Sequence, residues 1–176
     1  MFDDYFKAKE FFKTYEIMAI NDMIGQFRLE KIHHGFCLHK RLLQANKVLR
    51  EEKGMGGDYT SHGITACPGV DRVWSKAYRT GESGTSSILV ALHLGYTKII
   101  VCGVPLDNSG HYWDPDVKFE PTKPQWSVFN AKGQMGLANE VIKRNPLAKD
   151  RVRSMSGRTA DAFGKPDQEW ADGNNK

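Results

Sequence analysis

Apolar and polar positions alternate along this chain with periods that change from segment to segment. Near the start, Phe2, Tyr5, Phe6, Phe11, Phe12 and Tyr15 recur among lysines and glutamates. Most of them share one helical face, which predicts a helix over residues 3–14 with Asp3 or Asp4 as its cap. The run Glu16-Ile17-Met18-Ala19-Ile20 then ends at Asn21-Asp22, the pattern of a buried strand entering a loop. A second strand is expected at Gly35-Phe36-Cys37-Leu38, between His34 and His39. Residues 41–52 read as an amphipathic helix with Leu42, Leu43, Val48 and Leu49 inward, stopped by Gly54-Met55-Gly56-Gly57. Residues 59–62 and 70–74 are weaker strands.

The clearest signal spans residues 83–106. Ser83-Gly84-Thr85-Ser86-Ser87 opens an apolar helix, Ile88 to Leu94, that Gly95 closes. Lys98-Ile99-Ile100-Val101-Cys102-Gly103-Val104 follows as a strand apolar on both faces, as occurs where helices cover both sides of a parallel sheet. Residues 107–125 carry several prolines and aromatics and predict an excursion beyond a strand end. A helix within residues 126–145, a last strand at 151–155 and a short helix from Ser156 to near Gly164 complete the pattern. The expected class is α/β, a Rossmann-like and mostly parallel sheet flanked by helices. One domain over residues 1–170 is expected, with a loose tail at 171–176.

Composition changes this picture little. The chain has 176 residues, 40% hydrophobic and 26% charged, enough to bury a core. Its formal charge of +4 is scattered as on a solvated surface and comes with no nucleic-acid motif. Three widely spaced cysteines form neither a disulfide framework nor a zinc knuckle, and Cys37 and Cys102 read as small buried hydrophobes. There is no membrane-length apolar run and no signal-peptide pattern, so the expected compartment is the cytoplasm.

Ligands of open α/β sheets bind at the carboxyl ends of parallel strands. Three polar clusters are expected there: Asn21 with Asp22, the turn Gly84-Thr85-Ser86-Ser87, and the stretch from Asp107 to Tyr112. A helix N-terminus presents unpaired N–H groups to phosphate, and the hydroxyls of Thr85, Ser86 and Ser87 add donors. The alternative use of the same residues is helix capping by Ser83 or Thr85. His111, near Asp107, is a candidate general acid or base, with a structural loop hydrogen bond as the alternative. Trp113, beside it, is placed to stack on a ring. His33, His34, His39 and His62 match no standard metal-ligand spacing, so no metal is expected. Neither a Walker A lysine, a G-x-G-x-x-G run nor a nucleophile elbow is present.

Gly84 to Ser87, the helix to Leu94-Gly95-Tyr96, Lys98-Ile99-Ile100 and Gly103-Val104-Pro105-Leu106-Asp107 resemble one block of the bacterial sialyltransferases. Ile17 to Asn21 resembles their strand ending in a nucleotide-contacting asparagine. Archaeal pterin diphosphokinase-like proteins share this Rossmann plan. Gly110-His111-Tyr112 and residues 152–157 are similar to segments of small phage and prophage Rossmann-like proteins. The resemblance implies that Asn21, Asp22, Gly84, Thr85, Ser86, Ser87 and Gly103 hold a nucleotide or nucleotide sugar. It implies a glycosyltransferase-like activity in which His111 or Asp107 handles a proton, although no residue matches the family's catalytic histidine. No separate cofactor is implied. The family's first strand and its Asn-Gly-Pro-Ser loop are expected to be missing, and a homo-oligomer could complete the sheet. The competing expectation is a non-catalytic, phage-type binding or interaction protein that keeps the fold. A pterin diphosphokinase is a weaker third reading, because no acidic Mg²⁺ cluster is evident.

Overall fold

The computed structural model describes residues 2–104 and 131–173, and the side chains of residues 131–135 are outside that description. The chain is mixed α/β and divides into two compact units, residues 14–94 and residues 1–13 with 95–176.

In the unit of residues 14–94, four parallel strands pair in sequence order: β1 (Met18–Ile20), β2 (His34–Cys37), β3 (Thr60–Gly63) and β4 (Arg72–Val73). Ala19 lies beside Gly35, Phe36 beside His62, and Gly63 beside Val73. Helix α2 (Met23–Gln26) connects β1 to β2, and α3 (Lys40–Glu52) connects β2 to β3. A 3-10 turn (Lys76–Tyr78) precedes α4 (Ser83–His93). A parallel sheet flanked by helices is the arrangement expected from the sequence, and it is compatible with a Rossmann-like fold.

The two faces of this sheet follow from the alternation of side chains along each strand. Gly35 lies where a Cβ would meet Tyr59 Cε2 at 2.7 Å and Ile24 Cδ1 at 3.3 Å, so α2 closes on that face. Gly25 of α2 is equally tight against α3: a Cβ there would lie 2.8 Å from Asn46 Oδ1 and 3.1 Å from the Asn46 carbonyl. Ile24, Leu43 and Cys37 are buried there. Helix α4 packs against β1 and β2, and every residue from Ser83 to Leu92 is buried. Its apolar run is continuous because both of its sides are covered.

The unit of residues 1–13 and 95–176 contains α1 (Phe2–Lys9), β5 (Ile99–Val101), α5 (Ala131–Arg144), α6 (Ala148–Arg151), β6 (Val152–Ser154), α7 (Gly157–Phe163) and α8 (Gln168–Ala171). Strands β5 and β6 are parallel, with Ile99 beside Val152. The first helix stops at Lys9, earlier than the aromatic spacing predicts, and none of its residues is buried. Ser156 stands at the N-cap of α7 as expected, but its hydroxyl donates to Asp4 Oδ2 (2.7 Å) instead of capping. Gly164 ends α7 at φ 80°, a conformation that favours glycine. Trp170 anchors this unit: its Nε1–H donates to the Asp150 carbonyl (2.6 Å), Lys98 donates to its carbonyl, and the Lys98 ammonium lies 4.6 Å from its ring centre. Cys37 is buried, whereas Cys102 is half-buried; burial pushes the Cys102 thiol up to about 12. Among the described residues no helix is long and apolar enough to cross a membrane.

Candidate functional site

The carboxyl ends of β1 and β2 carry two of the three predicted polar clusters. Asn21 follows β1 directly. Its N–H donates to the Phe36 carbonyl (3.0 Å), which continues the ladder, while its own carbonyl accepts from Ile24 N–H (3.1 Å) and starts α2. To serve both elements its backbone takes φ 52°, the left-handed region, and it is the one non-glycine residue with positive φ among those described. Asparagine tolerates this conformation better than most residues. Its side-chain Oδ1 is shielded from solvent and accepts no hydrogen bond among the described residues. Left unpaired, such an acceptor costs about 1–3 kcal/mol. Asp22 is tied down instead, its Oδ1 accepting from Asn46 Nδ2 (3.3 Å) of α3.

Ser83 lies at the same end of β2, where its hydroxyl oxygen accepts from Leu38 N–H (3.4 Å). Asn21 and the start of α4 therefore bind main-chain groups only two residues apart, at Phe36 of β2 and at Leu38 just beyond it. The donors expected to meet a phosphate are, however, engaged within the protein. Glu82, the residue before the predicted turn, places a carboxylate across the helix start. Gly84 N–H donates to Oε1 (2.5 Å), and Thr85 N–H and hydroxyl donate to Oε2 (2.8 and 2.9 Å). The Ser86 hydroxyl donates to the Glu82 carbonyl (2.6 Å) and the Ser87 hydroxyl to the Gly84 carbonyl (2.7 Å). Thr85 and Ser86 are fully buried. The capping carboxylate comes from Glu82, not from Ser83 or Thr85, and it satisfies the positive end of the helix dipole.

Gly103 follows β5 in the other unit, with φ 65°. Asp107, His111 and Trp113 lie outside the described residues.

A second cluster was not legible in the sequence. His34 opens β2 and His62 lies on β3, on the same face of the sheet by the strand register. His62 is fully buried and accepts a hydrogen bond at Nδ1 from the indole N–H of Trp74 (3.0 Å). Its proton must therefore sit on Nε2, 2.9 Å from His34 Nδ1, which accepts it. His34 is left with its proton on Nε2, facing Glu16 Oε2 at 3.2 Å. Tautomers and partners are thus fixed along Trp74, His62, His34 and Glu16. Beyond Trp74, the rings of Tyr78 and His93 continue the cluster, with Tyr78 Oη and His93 Nδ1 2.5 Å apart. An added proton on His62 Nδ1 would point at the Trp74 indole N–H. Burial, then the neighbouring His34 and Arg72, lower the His62 pKa to about 4, against a smaller opposing effect of Asp71.

The other histidines are used separately. His33 Nδ1 accepts from Ile17 N–H (3.1 Å), and His39 stands at the N-cap of α3. Among the described residues no group of three or more His, Cys, Asp or Glu side chains is placed to hold a metal ion. Comparison with protein-family models, with curated proteins and with solved structures finds no match.

Proposed function

We propose that this chain binds a nucleotide or nucleotide sugar at the carboxyl edge of the four-stranded sheet and is a transferase of glycosyltransferase-like type. The observation that carries the reading is Asn21: a left-handed residue at a strand end, with a shielded side-chain acceptor that meets no donor among the described residues. A base amino group or ribose hydroxyl would supply the missing donor. Parallel α/β sheets bind ligands at this edge, and the likeness to the sialyltransferase block assigns the same role to this asparagine. Phosphates would meet the start of α4 only if the Glu82 carboxylate gave way. Proton transfer is assigned to His111 or Asp107.

A second reading has its own observation. Because Glu82 already fills the anion position at α4, a non-catalytic binding protein that keeps the fold also fits.

Calorimetric titration of the full chain with mononucleotides and sugar nucleotides tests the first reading, beside the Asn21→Gly variant. Glycine suits φ 52° and removes the orphaned acceptor, so N21G is expected to be at least as stable as the wild type. It should nevertheless bind nucleotide on the order of tenfold more weakly. Absence of heat with every nucleotide, or equal affinity in N21G, overturns the reading. Nucleotide binding without turnover of any sugar nucleotide favours the non-catalytic alternative.

A further inference from the structure

The opposite, amino end of the same strands holds a cavity of about 520 Å³, within the range of small-molecule sites. The segments that enter β2 and β3 line it together with the last turns of α3. Arg50, on α3, is only 3% exposed. Its Nε donates to the Gly56 carbonyl (2.9 Å), and its Nη1 to the carbonyls of Ile24 (3.2 Å) and Phe27 (3.1 Å). Main-chain dipoles thus fix the guanidinium on two of its three nitrogens. Among the described residues Nη2 makes no hydrogen bond and no carboxylate pairs with Arg50. The cavity's two carboxylates have partners other than Arg50: Glu30 accepts from the Tyr15 hydroxyl (2.7 Å), and Asp58 from Lys31 (2.8 Å), which also lines the cavity.

A buried cation without a counter-charge is costly, and the penalty falls when an anion arrives. Arg28 adds positive charge at the wall, where Lys31 is paired with Asp58, while Phe27, Ile32 and the Tyr59 ring supply an apolar lining. The geometry points to a binding site for a small organic anion, a phosphate monoester or carboxylate on a compact apolar body, with Arg50 Nη2 receiving the anionic group. A prefixed guanidinium with one free pair of N–H groups is suited to an oxyanion, because little side-chain freedom is lost on binding. The site lies at the amino ends of the strands and does not depend on the nucleotide reading at their carboxyl ends.

Titration of the ¹⁵N-labelled full-length chain with phenyl phosphate, benzoate and neutral benzyl alcohol, at constant ionic strength, tests this. Both anions are expected to shift the amides of residues 27–32 and 54–59, with benzyl alcohol causing little change. Arg50→Lys keeps the charge but lacks the second donor edge, and should weaken binding on the order of tenfold. Should R50K fail to fold, the double variant R28A/K31A, at exposed positions, is expected to weaken anion binding as well. The assignment is overturned if neither anion shifts these amides at millimolar concentration, or if benzyl alcohol shifts them equally. Shifts confined to Asn21 and residues 83–87, or unchanged affinity in R28A/K31A, overturn it too.

Discussion

Acid should destabilise this protein through His62. The side chain is fully buried, and its pKa falls from 6.5 to about 4 on folding. The unfolded chain therefore binds a proton at this site between about pH 6.5 and 4, where the folded chain does not. Stability is full above pH 6.5, falls as pH drops through this window, and loses nothing more from this group below about pH 4. At pH 5 the unfolded side chain is almost wholly protonated and the folded one about one-tenth. That difference amounts to about 2 kcal/mol relative to pH 7. Allowing for solvent screening near Arg72 and Asp71, both exposed, about 1–2 kcal/mol is expected. The hydrogen bonds give the same sign independently. Protonating His62 sets its Nδ1–H against the Trp74 indole N–H. Urea unfolding at pH 7, 6 and 5 measures the loss, with His62→Asn as the reference that keeps an acceptor for Trp74 but cannot titrate. The wild type should lose about 1–2 kcal/mol more than H62N between pH 7 and 5. Equal pH slopes for the two proteins, or a His62 NMR titration centred near 6.5, would refute the reasoning.

Three further outcomes follow from the packing. Glu82→Ala removes a carboxylate that accepts two main-chain N–H groups and a hydroxyl at the start of α4, and should cost about 1–2 kcal/mol. Added sulfate should recover part of this loss in a thermal melt of E82A and have less effect on the wild type, because the variant's vacant donors attract an anion. Gly35→Ala drives a methyl to 2.7 Å from the Tyr59 ring, so an unfolding titration should register a loss of about 1–3 kcal/mol. Trp170→Phe removes the N–H that reaches Asp150 and part of a buried ring, and a loss of about 1–3 kcal/mol is expected by the same measurement.

Strand and helix identity was legible wherever local pattern and burial agree. The apolar runs expected as strands at residues 16–20, 35–38 and 98–104 coincide with β1, β2 and β5, although β2 starts one residue earlier, at His34, and β5 covers only Ile99–Val101. Leu43 faces inward on α3 and Gly95 follows α4 at φ 95°, as expected, whereas Val48, also expected inward, is 52% exposed and the buried face of α3 holds Asn46 and Arg50 instead. The one-turn helices α2, α6 and α8 were not legible, because four residues carry too little periodicity to separate a helix from a loop. The first helix was overdrawn: its aromatic spacing suits a long buried face, yet α1 ends at Lys9 with no residue buried.

The sites divide along the same line. Asn21 was legible as a candidate, since an apolar run ending in Asn-Asp marks a strand end in this class of fold. Its left-handed backbone and orphaned acceptor were not, because both arise from joining β1, β2 and α2 at one point. Ser83 to Ser87 suggested open donors, but their occupation depends on Glu82 folding back across the helix start. That geometry needs the chain's path before α4, which hydropathy does not encode. His34 and His62 are far apart in sequence, and only the β2–β3 register brings them within hydrogen-bonding distance. Arg50 reads as a surface residue of an amphipathic helix until the segments around Phe27 and Gly56 close over it. By itself, then, the sequence determined the α/β class, most strands and one strand-end candidate, because these rest on the local periodicity of side chains. Only tertiary structure decided which donors are satisfied, which histidines share a proton and which cation is buried, because hydrogen-bond satisfaction and desolvation depend on residues distant in the chain.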